Sequence, residues 1–471
     1  MAKKSKTVYV CQECGYESPK WMGMCICGAW NSMVEERVVE NAENDSRSRG
    51  VKASDGTVKR AKPSKIKEVK SGDFLRLDTG IGELNRVLGG GMVKGSLTLI
   101  SGEPGIGKST LIIQAAARIA EKYGKVLYVS GEESEEQIKI RGDRVCQGDM
   151  ENLYLLAETN MENIIDAVSE IQPEFMIIDS IQTMYSQMLD SAPGSVSQVR
   201  QCGNELMKLG KVRNIPIFIV AHVTKSGELA GPKIVEHLVD CVLNFTGERN
   251  QEVRILRSYK NRFGTTSEIG AFEMCQEGLR EIENLSETFL TDLDTESEGA
   301  VATAVYEGTR PLLLEIQALT SPANVGFPRR TAIGMDHNRL NMLLAVLERK
   351  AGLNLSSQDV YLNVVGGIKP EGTSTDLAAA LAVYSTMKGK AAGSRVLALG
   401  EVGLTGDLRS VANCDKIVKE GERMGFTHII FPQGNAKNLR VKPETISLHP
   451  VKNLREAIQV FSRISSQKKQ G

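Results

Sequence analysis

The feature that most constrains the fold is a glycine-rich run, GEPGIGKS, at residues 102–109. It matches the pattern G-x4-G-K-S and lies between an apolar stretch, SLTLISG, and a stretch with helical spacing, LIIQAAARIAEKY. A strand, a glycine-rich loop and a helix in this order form a phosphate-binding loop, because the glycines let backbone N–H groups approach a phosphate at the positive end of the helix. The sequence therefore predicts an ATP site here.

Two side chains of this loop have predicted tasks beyond backbone contact. Lys108 is expected to reach the β- and γ-phosphates, and the Ser109 hydroxyl is expected to ligate Mg2+. The remaining loop residues predicted to contact the nucleotide are Gly102, Glu103, Pro104, Gly105, Ile106, Gly107 and Thr110. ATP and Mg2+ are thus the expected cofactors of this part of the chain.

Apolar strands alternate with helical stretches between residues 71 and 288. The runs VLYVSGEE, LYLLAE, FMIIDS and IPIFIVAHV are short and apolar, and helical stretches separate them. Continuous apolar strands joined by helices indicate a mostly parallel sheet that is covered on both faces. We therefore predict an α/β domain over residues 71–288 that resembles the RecA-like P-loop ATPases.

Polar side chains close three of these strands. Asp179, which ends the run FMIID, is predicted to hold Mg2+ through water, although an Asp here could instead cap a helix. Glu132 and Glu133 follow the next strand after the phosphate loop, at the point where RecA-like ATPases carry their catalytic glutamate. Glu132 is predicted to activate the attacking water, with Glu133 as the second choice, although both would also suit the first turn of a helix. By the same resemblance, His222 is predicted to sense the γ-phosphate.

Four cysteines are concentrated near the amino terminus. Cys11-x2-Cys14-Gly and Cys25-x-Cys27-Gly can supply four thiolates to a tetrahedral zinc ion, and the alternative is four reduced free thiols. A unit as short as residues 1–33 could not fold on apolar burial alone, so the metal would supply its folding energy. We therefore predict a zinc ribbon over residues 1–33.

The stretch from residue 34 to 70 differs from its neighbours because it has almost no large apolar side chains. Such a segment cannot bury enough surface to offset its ordering entropy, so it is predicted to be a flexible basic linker. Its cations could contact DNA phosphates or simply be a solvated charge run; they are Lys59, Arg60, Lys62, Lys65 and Lys67. Further candidate DNA contacts are Lys225, Lys233 and a possible loop, GSVSQVR, that ends at Arg200.

A second α/β domain is predicted over residues 289–471. The runs LLLEIQAL, DVYLNVVGG, RVLALGEVGLTGDLRSV and HIIFP are expected to be strands, and MLLAVLERKAG, TDLAAALAVYSTM and CDKIVKEGERMG are expected to be helices.

The string PEGTSTD within this domain resembles the Lon-protease nucleophile segment, with Ser374 at the nucleophile position. A serine needs a general base, and the Lon lysine position falls here on Cys414 or Asp415. The next residue, Lys416, would be turned by roughly 100–200° on a helix. We therefore predict a Lon-protease-like domain without a catalytic dyad.

The string SYKNRFG, at residues 258–264, is the most distinctive in the chain. On its own it could be a basic hairpin, but Lys260, Arg262 and Gly264 match a signature of the bacterial RadA (Sms) family. The run HVTKSGELAGPKIVEHLVD at residues 222–240 and the order of the four predicted segments also resemble that family. The resemblance covers essentially the whole chain, although the family usually carries C-x2-C where this sequence has Cys25-x-Cys27.

The resemblance implies a function as well as a fold. It implies a DNA-dependent ATPase and helicase motor on single-stranded DNA, acting in homologous recombination and DNA repair by branch migration of recombination intermediates. It further implies a homo-hexameric ring, a RecA-type recombinase as partner, and a catalytic role for Lys260 and Arg262 at the neighbouring subunit's nucleotide. A KaiC-like regulatory ATPase switch and an ATP-dependent protease are the alternatives; the missing dyad lysine argues against the protease.

The bulk properties agree with these expectations without adding a partner. Lys and Arg together number 58 and Asp and Glu together number 58, so any nucleic-acid surface must come from local clustering. No run of 18 apolar residues occurs, so no membrane contact is expected. The amino terminus, MAKKSKTVYV, lacks the apolar core of a secretory signal, so the cytoplasm is the expected location.

Overall fold

The computed structural model describes residues 5–11, 15–39, 76–146, 148, 150–222, 232–247, 252–290, 293–323, 327–366, 370 and 372–467. The chain divides into two compact units, Met1–Ile282 and Glu283–Gly471. The boundary predicted after residue 288 therefore falls inside the second unit, within a helix that spans Leu285–Leu290. None of the described helices combines the length and apolarity that crossing a bilayer requires.

The cysteine-rich head is a small antiparallel sheet. Its strands are β1 (Ser5–Cys11), β2 (Glu17–Ser18) and β3 (Met33–Val39), in the order β2-β1-β3. Since β3 begins at Met33, the head extends past the predicted end at residue 33. Its buried core consists of Cys11, Cys25 and Met33, with Tyr9 and Met22 packed against them. So small a core cannot offset the ordering entropy of the chain, which is the physical reason to expect a metal in it.

One nine-stranded sheet organises the rest of the first unit. The strands of this sheet are β6 (Leu97–Gly102), β7 (Val126–Ser130), β8 (Leu153–Ala157), β9 (Phe175–Asp179), β10 (Ile217–His222), β11 (Cys241–Thr246), β12 (Val253–Asn261), β13 (Ile269–Cys275) and β14 (Gly278–Glu281). Two further strands, β4 (Arg76–Leu77) and β5 (Met92–Val93), pair with each other. The helices are α1 (Gly82–Leu88), α2 (Lys108–Tyr123), α3 (Glu135–Val145), α4 (Met161–Ile171), α5 (Val196–Arg213) and α6 (Pro232–Leu238), with a 3-10 turn at Ile181–Thr183.

The sheet has a parallel half and an antiparallel half. Its order is β14-β13-β12-β11-β6-β10-β9-β7-β8, with parallel pairing from β11 to β8 and antiparallel pairing from β11 to β14. Separate apolar clusters cover its two faces, which explains why the central strands are apolar along their whole length. The predicted α/β fold with a parallel sheet is therefore confirmed.

The carboxyl ends of the parallel strands meet at one edge of this sheet. His222 is level with Gly102 on the neighbouring strand, and Asp179 is level with Ser130. Strand β10 lies between β6 and β9 in the sheet, so Asp179 does not end a strand adjacent to that of the phosphate loop. Asp179 is two strands away, and its side chain reaches the loop because both strands end at the same level.

The second unit is built on a mixed seven-stranded sheet in the order β17-β18-β16-β15-β19-β22-β23. Its strands, with a separate hairpin of β20 and β21, are β15 (Ala300–Glu307), β16 (Arg310–Pro322), β17 (Arg330–Ile333), β18 (Gln358–Val364), β19 (Val396–Ala398), β20 (Glu401–Val402), β21 (Leu408–Arg409), β22 (His428–Pro432) and β23 (Ser447–Val451). Its helices are α7 (Leu285–Leu290), α8 (His337–Val346), α9 (Asp376–Lys388), α10 (Cys414–Arg423), α11 (Gln433–Ala436) and α12 (Leu454–Gln467), with a π-helical turn at Leu347–Ala351.

The run RVLALGEVGLTGDLRSV is expected to be strand along its length, but only three very short strands form in it, β19, β20 and β21. Gly400 and Gly406 adopt positive φ angles of 145° and 86°, and each turns the chain out of the preceding strand direction. Only Val396–Ala398 joins the main sheet, while β20 and β21 pair with each other as a small hairpin.

Candidate functional site

The phosphate loop connects β6 directly to α2, and backbone conformation favours glycine at two of its positions. Gly102 has a φ of 155°, and a Cβ there would lie 2.5 Å from the carbonyl oxygen of Phe245. Gly107 has a φ of 112°, and its Cβ would lie 2.7 Å from the Cε of Met274. A larger residue at position 102 would collide with the Phe245 backbone, whereas at position 107 the positive φ is the constraint, because Met274 Cε is the movable end of a side chain.

Lys108 is the first residue of α2 and is almost completely buried. Its ammonium donates hydrogen bonds to the carbonyl oxygens of Gly102, at 2.8 Å, and Glu103, at 3.0 Å, so the side chain lies over the loop. Burial lowers the pKa of Lys108 to about 8, against the opposing attraction of Asp179 and Glu132. An anion bound in the loop would offset that penalty by attraction and favour the charged ammonium, which makes Lys108 a suitable phosphate ligand.

Asp179 closes β9 at the floor of the same cleft. The hydroxyl of the fully buried Tyr128 donates a 2.5 Å hydrogen bond to its Oδ2 atom. Burial and the negative charge of Asp179 raise the pKa of Tyr128 well above its usual value, so the hydroxyl stays a donor. Asp179 caps no helix, because the following 3-10 turn begins after Ser180 without a side-chain cap.

Glu132 and Glu133 have different environments. Both precede the N-cap of α3, Ser134, so neither belongs to the first turn of that helix. Glu133 is paired with Arg141 through two contacts of 2.7 and 2.6 Å. Glu132 instead accepts a 2.5 Å hydrogen bond from the hydroxyl of Ser180. Among the described residues, Arg141 thus neutralises Glu133 and not Glu132, which favours Glu132 over Glu133 as a base.

His222 ends β10 beside Glu132. Its Nε2 atom lies 3.5 Å from Oε1 of Glu132, and its carbonyl oxygen accepts a hydrogen bond from the Gln182 side chain. Within the described residues, neither buried ring nitrogen makes a hydrogen bond. The ring is therefore well located to respond to a change at Glu132, and the segment that follows it, residues 223–231, lies outside the described residues.

These side chains line one cleft of about 300 Å3. Its lining consists of Gly105, Gly107, Lys108, Ser109, Thr110, Ser130, Glu132, Glu133, Arg141, Asp179, His222 and Met274. Eight residues of the predicted nucleotide site are among them. The others are not: Gly102 and Glu103 contribute carbonyl oxygens to Lys108, Pro104 is exposed, and Ile106 is buried in the core.

Sequence reasoning did not identify Ser130, Arg141 or Met274 as lining residues. Arg141 lies on α3 and reaches back to Glu133, which precedes the helix, so the pair falls outside the i,i+3 and i,i+4 spacings that a sequence pattern reveals. Met274 comes from a strand that is distant in sequence, and nothing in its local pattern indicates this contact.

The cleft suits a hydrated Mg2+ ion. This metal prefers oxygen ligands and keeps several waters, and the cleft offers the Ser109 hydroxyl together with the nearly buried carboxylate of Asp179. These residues would hold the ion against the phosphates at the start of α2, and the donor chemistry fits the predicted cofactor.

Lys260 and Arg262 lie elsewhere on the first unit. Asn261 pairs with Cys241, which is level with Thr98, about 13 Å along the strand direction from Gly102. The Lys260 ammonium donates a 2.7 Å hydrogen bond to the Glu236 carbonyl oxygen at the end of α6. The half-exposed Arg262 contacts Asp240 at 3.1 Å. The structure does not bring either cation to the cleft of its own chain.

The head brings three of the four predicted zinc ligands together. The Sγ atoms of Cys11, Cys25 and Cys27 all lie within 4.8 Å of one another, and those of Cys11 and Cys27 are 3.8 Å apart. That separation is too long for a disulfide and equals the edge of a tetrahedron with Zn–S bonds of about 2.3 Å. These thiols therefore fit a tetrahedral zinc site, and Cys14 lies outside the described residues.

The shortened second pair still forms a tight turn around this cluster. The Gly28 N–H donates a 2.9 Å hydrogen bond to the Cys25 carbonyl oxygen, and Gly28 has a φ of 91°. The hydroxyl of Ser32 lies 3.2 Å from the Cys11 sulfur. A Cys-x-Cys spacing thus directs both sulfurs to the same point when a left-handed glycine follows.

The predicted nucleophile position in the second unit has no adjacent base among the described contacts. The Ser374 hydroxyl lies 3.4 Å from the Ala304 carbonyl oxygen, and the Lys416 ammonium donates a 2.5 Å hydrogen bond to the Tyr306 hydroxyl. Cys414 is buried, and Asp415 accepts hydrogen bonds from two backbone N–H groups. Burial therefore occupies the Cys414 side chain, and backbone hydrogen bonds occupy that of Asp415.

Most of the predicted DNA contacts lie outside the described part of the chain. They are Lys59, Arg60, Lys62, Lys65, Lys67 and Lys225. Lys233 lies on α6, but its side chain is outside the described part of the structure. The segment ending at Arg200 is not a loop, because α5 begins at Val196, and Arg200 donates a 3.2 Å hydrogen bond to the Gly15 carbonyl oxygen of the head. The expectation of a loop there is wrong: Ser195 caps the helix through the Gln198 N–H.

Three sequence families match separate parts of the chain. A family described as an AAA domain matches residues 60–228, one described as a rubredoxin metal binding domain matches residues 9–35, and one described as subunit ChlI of Mg-chelatase matches residues 319–435. The first covers the nucleotide cleft up to His222, and the second covers the thiol cluster. The matches agree with the predicted RecA-like core, zinc ribbon and Lon-like second domain.

Full-length relatives and solved structures give further similarities. The DNA repair protein RadA of Bacillus subtilis (strain 168) is 50% identical over 97% of this chain and 98% of that protein. Those of Halalkalibacterium halodurans and Listeria monocytogenes are 48% and 46% identical, each over 98% of this chain and 99% of the relative. Two solved structures, a KaiC-like protein of Pyrococcus horikoshii OT3 and the RadB recombinase, are each 20% identical to this chain, with TM-scores of 0.37 and 0.36. The matched region covers 44% of this chain in both cases, and 98% and 100% of the respective structures.

The sequence similarity extends over the thiol cluster, the nucleotide cleft and the second unit alike. Because relatives with nearly half of their residues identical span almost the entire chain, the protein belongs to the RadA family of DNA repair proteins.

Proposed function

We propose that this protein hydrolyses ATP in the cleft at the end of α2 and uses the energy to move along single-stranded DNA. In this proposal the motor promotes branch migration of recombination intermediates during homologous recombination and repair. It acts in the cytoplasm as a homo-hexameric ring and meets a RecA-type recombinase on the DNA. Membership of the RadA family supports the repair role, and the cleft supports the ATPase.

The observation that carries the proposal is the location of Glu132. This carboxylate lies in the same cleft as Lys108, is oriented by the Ser180 hydroxyl, and has the His222 ring at 3.5 Å. It would accept a proton from the water that attacks the γ-phosphate, while Lys108 would neutralise charge on the phosphates. Mg2+ held by Ser109 and Asp179 would supply further neutralisation of that charge.

His222 would connect hydrolysis to DNA. A change in the hydrogen bonding of Glu132 on loss of the γ-phosphate would reach the His222 ring directly, and the chain continues from His222 into residues 223–231. That segment contains Lys225, a candidate phosphate contact. This route gives the sensor role a physical basis in one contact and one covalent connection.

The location of Lys260 and Arg262 supports a role in trans. Both lie toward the amino-terminal edge of the sheet, whereas the cleft lies at the carboxyl edge. In a ring of identical subunits, a cation distant from its own nucleotide can reach that of its neighbour and stabilise the charge that develops during hydrolysis. Arg262 is the better placed of the two because it is half-exposed, whereas Lys260 donates to the end of α6.

Mixing two inactive variants tests this arrangement. Lys108→Ala would lack the phosphate contact, and Arg262→Ala would lack the cation that reaches the neighbouring nucleotide (the arginine finger), so each ring alone should hydrolyse little ATP. In mixed rings some interfaces pair an intact loop with an intact finger, and hydrolysis should partly return. No return, in rings shown to exchange subunits, would mean that Arg262 acts only within its own chain, where it contacts Asp240.

Strand displacement from forked DNA separates a motor from the alternative of a KaiC-like regulatory switch. A motor should displace a labelled strand only with hydrolysable ATP, and single-stranded DNA should increase its rate of hydrolysis. A switch should bind and turn over ATP at a rate that DNA does not change. Both readouts, strand displacement and the effect of DNA on hydrolysis, would be measured for the wild-type protein. Glu132→Gln at equal nucleotide occupancy is the control for displacement that does not need hydrolysis.

A further inference from the structure

Tyr128 lies on β7 behind Asp179, outside the lining of the nucleotide cleft. Its side chain is completely buried among apolar residues beneath α2, yet its hydroxyl donates a 2.5 Å hydrogen bond to Asp179. A buried tyrosine hydroxyl needs an acceptor, and a backbone carbonyl oxygen would satisfy it. Here the acceptor is instead the Asp179 carboxylate, which would hold the metal through water, so the contact can affect the metal site as well as packing.

The strand register explains why the two side chains meet. On β7 and β9, Tyr128 is level with Ile177 and Ser130 is level with Asp179. Side chains two residues apart on a strand share a face, so Tyr128, Ser130 and Asp179 all lie on the face covered by α2. The tyrosine ring packs in the apolar core, and its hydroxyl contacts Asp179, which lines the cleft.

We propose that Tyr128 is a positioning residue, which fixes Oδ2 of Asp179 and thereby directs the other carboxylate oxygen, Oδ1, toward the water shell of the nucleotide-bound Mg2+. A free carboxylate can rotate about its terminal bond, and that torsion is soft. A short hydrogen bond from a ring held by packing removes this freedom. The ion itself would gain no direct contact with Tyr128. The inference rests on the proposed role of Asp179.

This role differs from packing in what it predicts. Packing would affect folding and nucleotide binding whether or not Mg2+ is present. Positioning would affect only the extent to which Mg2+ tightens nucleotide binding. Hydrogen-bond partners of metal ligands typically change metal affinity by about 10–100-fold when removed, and the lower end is expected where the ligand acts through water.

The experiment is a titration of the full-length protein with a fluorescent ADP analogue, with excess Mg2+ or with a chelator, so that no turnover is needed. Tyr128→Phe removes the hydroxyl and keeps the ring. It should reduce the Mg2+-dependent gain in affinity by about tenfold and leave the affinity without Mg2+ unchanged. Tyr123→Phe is the matched control, because the Tyr123 hydroxyl accepts from the Asp78 N–H at the far end of α2 and should have no effect.

Asp179→Asn completes a double-mutant cycle. If Tyr128 acts through Asp179, adding Tyr128→Phe to Asp179→Asn should change the Mg2+ effect no further. A full Mg2+ effect in Tyr128→Phe, or an equal loss of affinity with and without Mg2+, would overturn the inference while leaving the site intact. A full Mg2+ effect in Asp179→Asn would instead overturn the metal site of the proposed function. Should Tyr128→Phe fold poorly by thermal melting, Tyr128→Leu provides a second hydroxyl-free side chain for the same measurement.

Discussion

The cleft of the first unit and the surroundings of Ser374 in the second unit both carry the marks of a catalytic motif, but their side chains are arranged differently. In the cleft, Lys108, Glu132, Asp179 and His222 come from four separate segments and line one space. Around Ser374, the hydroxyl lies near a backbone carbonyl oxygen, and Lys416 donates to a tyrosine.

The difference teaches what a motif needs from the fold. The cleft residues converge because parallel strands end at the same level, so each strand contributes one polar side chain to a common edge. Near Ser374 the equivalent segments keep the Lon-like layout, but the base position carries Cys414 or Asp415, whose environments are occupied by other contacts. Convergence, and not the presence of a reactive residue, separates the two regions.

The largest effect is expected from the centre of the converging site. Lys108→Ala removes the ammonium that would contact the phosphates and should reduce ATP hydrolysis by at least about 10^2–10^3-fold. Lys122→Ala is the matched control, because Lys122 lies on the same helix but pairs with Asp78 at the surface. A steady-state phosphate-release assay measures both. Normal turnover in Lys108→Ala would remove the basis for comparing the two regions at all.

The second effect separates the two glutamates. Glu132→Gln keeps the shape but removes the base, and general-base loss typically costs about 10^2–10^4-fold in rate. Glu133→Gln should cost less than about tenfold, because Glu133 is engaged with Arg141. Single-turnover hydrolysis at saturating ATP measures the chemical step of each variant. The reverse ranking would assign the base to Glu133 and give Arg141 a catalytic contact.

The third effect extends the comparison to the head, where thiols converge as the cleft residues do. The purified protein should contain about one zinc per chain, because thiolates favour this metal, and Cys11→Ser should lose it. Cys275→Ser is the control, since that thiol lies on β13 and contacts Glu273. Metal content by mass spectrometry measures both variants. Stoichiometric zinc in Cys11→Ser would mean that the ligands lie elsewhere.

The sequence predicted the elements around the cleft well, because their signals are local. An apolar run followed by a glycine-rich loop specified β6 and α2, and the ends of β7, β9 and β10 were recognisable from single polar residues after apolar strands. The zinc ligands had similarly local spacing. In each case a few adjacent residues determine the backbone, so no long-range information was needed.

The remaining features depend on contacts between distant segments. Met274 enters the cleft from a hairpin more than 160 residues after the phosphate loop, and the order of strands that separates β9 from β6 is set by the whole sheet. No local pattern marks Tyr128 either, since only its register with β9 brings its hydroxyl to Asp179. The short strands after Val396 were also missed, because several glycines interrupt a run that is otherwise rich in apolar residues.

The smallest effect is expected at Ser374, and a null result there is the informative one. The Ser374 hydroxyl lies 3.4 Å from the Ala304 carbonyl oxygen, and no contact in the described part of the chain links it to an ammonium group. An isolated serine hydroxyl is a weak nucleophile at neutral pH, because nothing accepts its proton. Ser374→Ala should therefore leave ATP hydrolysis and DNA strand displacement within about twofold of wild type, as expected for a substitution away from any catalytic feature. The wild-type protein should also fail to degrade casein, with or without ATP.

Lys416→Ala provides a matched test, because it removes the nearest lysine in sequence to the expected base position and should likewise be silent. Serine-dependent cleavage of casein would show that Lys416 leaves Tyr306 and reaches Ser374, and the contrast between converging and dispersed groups would then fail.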